Sequence, residues 1–216
     1  MNMQAISIAA SQIPQLPAHH LDADIYMVMP ATDMTAARRA AKLMVERANF
    51  DKAILLIAED TLSEGFVSIA NRCFKTTRSP YFGYVAQDAF AGRSWLQKAH
   101  HAIQAQDTGL LGFNDGKWSG RLAAFGLGRR QWLQNNYPDA SLFCPQYQYH
   151  YGDTELTALA MGNQQYSYDP NAVLIEVDWE KDRKSVDPQD KKTFAQRKQH
   201  WLPTRMKHPQ ILEMFN

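Results

Sequence analysis

Cysteine is nearly missing from this chain: Cys73 and Cys144 are the only two among 216 residues. Two thiols cannot staple a small disulfide scaffold or complete a four-cysteine zinc site, so both are expected to be buried and unpaired. No apolar run approaches the ~20 residues needed to cross a bilayer. The opening stretch MNMQAISIAASQIPQLPA has no basic n-region, and Gln4, Ser7, Ser11 and Gln12 interrupt its apolar residues, so no signal peptide is expected. Neither sign of charge dominates, since 23 Lys and Arg face 22 Asp and Glu for a formal net charge of +1. That balance gives no electrostatic reason to expect a nucleic-acid backbone as the main partner. Repeats of fixed period and low-complexity tracts are absent as well. What remains is the expectation of a soluble, cytoplasmic protein. Its 45% apolar and 21% charged content suits a folded domain rather than a disordered chain.

Several signature loops are also missing. There is no GxGxxG dinucleotide loop, no GxxxxGK[ST] phosphate loop, no HExxH pair and no GxSxG elbow. The pairs His19-His20 and His100-His101 are sequence neighbours and do not project toward one metal. Rossmann dehydrogenases, P-loop kinases, zinc proteases and serine hydrolases are therefore poor candidates.

What is present alternates between strand and helix. Residues 1–23 read as a polar, proline-punctuated lead-in with weak β character around 5–9. The apolar run 25–29 (IYMVM) reads as a buried strand, closed by Pro30, Thr32 and Asp33. Residues 34–49 place Ala37, Ala40, Ala41, Met44 and Val45 on one side and charged residues mainly on the other, the pattern of an amphipathic helix. A second buried strand, 53–58 (AILLIA), ends in Glu59-Asp60, and strand, helix, strand in so short a span is a βαβ unit. A helix over 63–75, a strand over 81–86 ending in Gln87-Asp88 and a helix over 93–104 continue the alternation. Short strands at 109–113 and 122–127, helices at 129–135 and 153–161, and two β segments at 165–168 and 172–177 follow. Beyond residue 180 the chain is charged and reads as a solvated extension with a terminal helix near 191–201. Three near-continuous apolar strands imply burial on both faces, hence one α/β domain with a mostly parallel central sheet flanked by helices.

Acidic residues stand at the ends of those strands: Asp33, Glu59-Asp60 and Asp88. In open α/β sheets ligands bind beyond the carboxyl ends, so these side chains would meet in one cleft. The competing reading makes them helix N-caps, which strand-to-helix turns favour anyway. A carboxylate at Asp88, followed by the small-residue turn Ala89 to Gly92, could hold a divalent cation against a diphosphate. A second cluster is HYGDTELT, where Gly152 permits a sharp turn and Asp153 falls at the first turn of a helix. A carboxylate held there can serve as general base for a hydroxyl, or as a plain cap. The aromatic approach through Tyr147, Tyr149 and Tyr151 is either a sugar-stacking wall or ordinary packing.

Read in order, these segments resemble the nucleotide-sugar-dependent glycosyltransferases of the GT-A fold, in particular the inverting family 2. IYMVMPATDM is similar to that family's first strand and Pro-Thr turn, and AILLIAEDTLSEGFVSIAN to its second strand, acidic turn and helix. SPYFGYVAQDAFAGRSWLQ resembles the central strand with its metal motif, with Gln-Asp-Ala as in the rhamnosyltransferase-like branch. FNDGKWSGRLAAFGLGRRQWL resembles the strand after the donor site, and YGDTELTALAMGNQQYSYDP the region that carries the catalytic base. The resemblance spans residues 24–180, leaving 1–23 as lead-in and 181–216 as a charged, partly helical extension.

The resemblance implies transfer of a sugar from a nucleotide-diphosphate sugar to a carbohydrate or other acceptor hydroxyl, assisted by Mn²⁺ or Mg²⁺. Pro30, Thr32 and Asp33 would line the nucleotide pocket, and Asp60 or Glu59 would reach the base. Asn71 and Arg72 would sit near the ribose and phosphates. Gln87 and Asp88 would stand at the diphosphate, with Asp88 on the metal. Asp153 would deprotonate the acceptor. Where members place a histidine ligand, this chain has Asp178, which would either substitute as an oxygen ligand or leave metal binding degraded. The turn after the second strand departs from the family's Asp-Asp-Gly-Ser, since Glu59-Asp60-Thr61-Leu62 stands there. Two other classes stay open: a nucleotidyltransferase, against which PATDMTAARRA offers no glycine-rich phosphate loop, and a non-catalytic nucleotide- or sugar-binding protein on the same scaffold.

Overall fold

The computed structural model describes residues 3–177 and 186–215. Eight strands, β1 (Gln4–Ala9), β2 (Ile25–Ala31), β3 (Ala53–Glu59), β4 (Tyr81–Tyr84), β5 (Ala89–Ala91), β6 (Leu110–Asn114), β7 (Gly126–Arg129) and β8 (Tyr166–Glu176), form one sheet. Their order is β1-β3-β2-β4-β7-β6-β8-β5. The three apolar runs are neighbours at its centre, with β2 parallel to both β3 and β4. Because β4 and β6 each run antiparallel to β7, they point the same way, and β8 is parallel to β6. Six described strands thus share one direction, and β7 and β5 oppose it. Residues 4–9, within the stretch expected to lead into the domain, form the parallel edge strand β1 against β3.

Alternation along β2 explains why the run is apolar throughout. Ile25, Met27 and Met29 enter one core, with Ala37, Ala40, Ala41 and Met44 of helix α1 (Met34–Arg47). Helix α2 (Phe66–Thr76) lies on the other face, and helix α3 (Trp95–Ala105) joins α1 through Trp95, Leu96 and Ile103. Tyr26 and Val28 point to the α2 face, with Val67, Ile69, Ala70 and Phe74. Successive strand residues face opposite layers, so a strand covered by helices on both sides has no position left for a polar residue. Cys73 and Cys144 are buried free thiols, as expected from their scarcity; burial raises Cys144 to about 11.

The two consecutive arginines of FGLGRRQWL are structural. Arg130, at the start of helix α4 (Arg130–Gln134), is buried and donates to the carbonyls of Phe74 (2.7 Å) and Ser79 (2.6 Å). Burial pulls its guanidinium down to about 10. Arg129 donates to the carbonyls of Thr108 and Ile103. The two late β segments are one eleven-residue strand, β8, which pairs with β6 on both sides of Pro170 (through Tyr166–Tyr168 and again at Val173) and with β5 after it. Pro170 has no N–H to give a ladder, and it falls where the β6–β8 register shifts. Helix α5 (Gly152–Gly162) follows a long irregular connection, and helix α6 (Pro188–His200) follows β8. Among the described residues no helix is long and apolar enough to cross a membrane.

Candidate active site

Three strand ends meet at the carboxyl edge of the sheet. The Asp60 N–H donates to the carbonyl of Ala31 (2.8 Å), joining the ends of β3 and β2. Gln87, just past β4, accepts from the N–H groups of Thr32 (2.8 Å) and Asp33 (2.9 Å) through one side-chain oxygen. Pro30, Thr32, Asp33, Glu59, Asp60, Gln87 and Asp88 are therefore brought together at one edge. Within that group the structure assigns mainly bracing roles. The Asp33 carboxylate accepts from Thr35 N–H (2.9 Å) and Ala36 N–H (3.0 Å), so it is the N-cap of α1. Asp60 accepts from the N–H groups of Glu64 (2.8 Å) and Gly65 (3.0 Å) and closes the loop before α2. Asp88 is half-buried, and its carbonyl accepts from Val177 N–H (3.3 Å), beside the end of β8.

Two expected donor-site residues point elsewhere. Asn71 is 7% exposed and trades two bonds with the Phe143 backbone, donating at 3.0 Å and accepting at 2.8 Å. Both ends of its amide are consumed behind the cleft, which corrects its placement at a ribose. Arg72 pairs with Glu64 and donates to the carbonyl of Ala10 (3.2 Å), so its guanidinium is engaged beside the N-terminal segment rather than at a phosphate. The hydrogen bond from Arg72 holds the Glu64 carboxyl below the usual range. Asp178, the second expected metal ligand, lies outside the described residues.

A cleft of about 750 Å³ lies beside that edge, with Ala86 and Glu176 in its lining. Lys117, Trp118 and Arg121, Tyr149, His150 and Asp153 at the start of α5, and Phe194 of α6 line it as well. Asp153 is half-buried in the first turn of α5. The helix N-cap is Tyr151, so Asp153 is released from the capping role. Its Oδ1 accepts from the N–H (2.7 Å) and hydroxyl (3.3 Å) of Thr154, and its own backbone N–H also bonds the carboxyl. Burial holds its carboxyl above the ordinary aspartate range, while the bonds from Thr154 and the charge of His150 pull the other way.

Glu155, two residues on, does a different job. It is fully buried and accepts from Tyr137 Oη (3.0 Å), Tyr147 Oη (2.7 Å), and Arg197 Nε and Nη2 (2.8 Å each). Burial, then the charge of Glu155, pushes both phenols far above their usual value. A carboxylate saturated in this way is a structural anchor, not a base. The segment expected to be solvated supplies that anchor's partner, Arg197, and a second buried charge, Asp190, at 1% exposure. A one-face spacing of Asp190, Phe194, Arg197 and Trp201 was the available signal for a packed helix.

No protein-family profile matches the chain, and no curated protein matches it in sequence. Solved structures do match. S. aureus TarS 1–349 aligns with TM-score 0.54 at 13% identity, over 71% of this chain and 60% of that one. The same protein in complex with UDP-GlcNAc gives 0.55 at 13% identity, over 76% and 62%. The mannosyltransferase PcManGT from Pyrobaculum calidifontis, in complex with GDP-Man and Mn²⁺, gives 0.50 at 12% identity, over 94% and 78%. This chain shares their fold. The α/β class expected from the apolar strands is the class found. The chain spans about 60% of the length of TarS 1–349.

Proposed function

We infer that the cleft transfers a sugar from a nucleotide-diphosphate sugar to an acceptor hydroxyl with inversion, in the manner of family 2 glycosyltransferases. One observation carries the reading: Asp153 is a carboxyl that lines the cleft together with Ala86, which follows β4, and burial raises its proton affinity. Support comes from two structures of the same fold, one holding UDP-GlcNAc and the other GDP-Man with Mn²⁺.

An inverting displacement needs a base on the acceptor side and a leaving diphosphate on the other. The Asp153 carboxylate takes the proton of the acceptor hydroxyl as the hydroxyl oxygen attacks the anomeric carbon, and the bond to the diphosphate breaks on the opposite face. A carboxyl raised toward neutral pH is a stronger base while still ionised. Thr154, bonded to Oδ1, holds the carboxyl in one orientation. At the donor end, no group of three or more His, Cys, Asp or Glu gathers among the described residues. Asp88 stands beside the end of β8, where its carbonyl accepts from Val177 N–H. A carboxylate suits Mg²⁺ or Mn²⁺, which take few protein ligands and complete their shell with phosphate and water. A cation held there would offset charge on the leaving diphosphate.

Calorimetric titration of UDP-GlcNAc and GDP-mannose, with and without MnCl₂, tests the donor end. Binding that requires Mn²⁺ in the parent and is lost in Asp88→Ala, with the circular dichroism unchanged, supports it. A variant that binds donor and Mn²⁺ like the parent overturns the metal assignment. A parent that binds neither donor, nor any nucleoside diphosphate, overturns the reading as a whole.

A further inference from the structure

The candidate base hangs on a segment with little regular structure of its own. From the end of α4 to Tyr151 the chain makes no helix or strand. Tyr151 closes it at φ 65°, a left-handed backbone that a bulky side chain rarely adopts. Such a conformation persists only where its surroundings impose it.

Helix α6 provides the surroundings. Asp190, Phe194 and Arg197 recur at i, i+4 and i+7, on one helix face. The Asp190 carboxylate accepts from three successive backbone N–H groups: Gln148 (3.0 Å), Tyr149 (2.8 Å) and His150 (2.8 Å). The Phe194 ring stacks on Tyr151, with centroids 4.8 Å apart and planes at 15°. Arg197 grips Glu155 with two parallel bonds. The contacts therefore fall on 148–151 and on 155, bracketing Asp153 on both sides without touching its carboxyl. Asp187 caps the same helix by accepting from Asp190 N–H (2.8 Å), which holds Asp190 in place.

Resting on the glycosyl-transfer reading above, we propose that Asp190, Phe194 and Arg197 are positioning residues for the transfer step, setting where the Asp153 carboxylate stands relative to the reacting carbon. Charge is the clue. Apolar packing would hold a helix against a loop about as well as a buried ion pair does. A carboxylate that takes three consecutive amides, and a guanidinium that engages both carboxylate oxygens, fix direction as well as distance. A base needs that, because its oxygen must meet the acceptor proton at hydrogen-bond reach.

The experiment compares Asp190→Asn, Phe194→Leu and Arg197→Lys with Phe74→Leu, a core change in α2 away from the cleft. Turnover is read as release of nucleoside diphosphate from UDP-GlcNAc and GDP-mannose, and donor affinity by calorimetry. Displacement of a catalytic group by about an ångström can remove roughly 10²-fold in rate. The expected result is a kcat loss of about that size in Asp190→Asn, with donor affinity kept. Arg197→Lys, which keeps charge but not the fork, should fall less than Arg197→Gln. Phe74→Leu should lower Tm without lowering kcat. If Asp190→Asn does not fold, Phe194→Leu carries the comparison. Unchanged kcat in the folded variants overturns the proposal, as does a loss that Phe74→Leu reproduces at equal Tm. A parent with no donor binding and no turnover contradicts the glycosyl-transfer reading instead, and the positioning role goes with it.

Discussion

Replacing Arg197 by Met tests whether the buried ion pair is what fastens α6 to α5. Methionine keeps the length of the side chain and removes its charge. Glu155 is 0% exposed and Arg197 14%, so solvent cannot take over the lost partner. Two of the four hydrogen bonds to Glu155 would vanish, leaving a buried carboxylate with only the two phenols. Removing one member of a buried pair costs about 3–5 kcal/mol. The Arg197 guanidinium also lies 4.0 Å over the Trp201 ring, a contact worth about 0.5–1 kcal/mol at a partly exposed site. At about 2–4 °C per kcal/mol for a chain of this size, the expected fall in Tm is roughly 7–24 °C. Calorimetry and denaturant melts of Arg197→Met, Glu155→Gln and the double variant measure it. The neutral glutamine removes the stranded charge, so the double variant should be more stable than the sum of the single losses, by about 1–3 kcal/mol. A loss below about 1 kcal/mol in Arg197→Met, or strict additivity, would refute the reasoning.

Asp153→Asn should stabilise the fold near neutral pH while it removes the proposed base. Burial raises the folded-state proton affinity of Asp153, so its contribution is favourable below about pH 4, the unfolded value, and is lost as pH rises through the folded value. The Tm of Asp153→Asn minus that of the parent should therefore grow with pH and then level off; a constant negative difference would contradict this. Gly65→Ala should destabilise for a backbone reason. At φ 86° and ψ 160° Gly65 occupies a region nearly closed to other residues, and an added Cβ would lie 2.6 Å from the Gln148 carbonyl oxygen. The strain alone is worth about 1–3 kcal/mol. An unchanged melting curve would show that the loop relaxes freely.

Legibility in the sequence followed the range of the interactions. β2, β3 and β4 were readable because two-sided burial writes itself into a short stretch as an unbroken apolar run. α1 was readable from its alanine stripe, and Asp33 offered two readings of which the cap is realised. β8 looked like two segments because Pro170 and Asn171 interrupt the apolar pattern, yet β6 pairs on both sides of them and β5 joins after them, which keeps one strand extended. Asn71 and Arg72 were placed near the ribose and phosphates by the resemblance alone. Asn71 bonds Phe143, 72 residues away, and Arg72 bonds Glu64 nearby and Ala10, 62 residues away, and no local pattern reaches those distant partners. The same distance hid the packing of α6, though not the helix itself. A polar helix read locally is a solvated helix, and nothing near Asp190 or Arg197 announces that one meets the amides of 148–150 and the other a buried Glu155. The start of α5 was legible from the Gly-Asp-Thr-Glu turn, where the resemblance puts the base at Asp153; the four bonds that saturate Glu155 were not legible, because they come from Tyr137, Tyr147 and Arg197 elsewhere in the chain.

The central claim is that Asp153 is the base of a sugar transfer, and one paired measurement addresses it directly. Release of nucleoside diphosphate from UDP-GlcNAc and GDP-mannose is followed for the parent and for Asp153→Asn, with donor affinity measured by calorimetry on the same samples. General-base catalysis is worth about 10²–10⁴-fold. The account predicts turnover in the parent, a loss of that size in Asp153→Asn, and equal donor affinity in both. Turnover in Asp153→Asn at the parent's rate, or donor binding in the parent with no turnover at all, would contradict it.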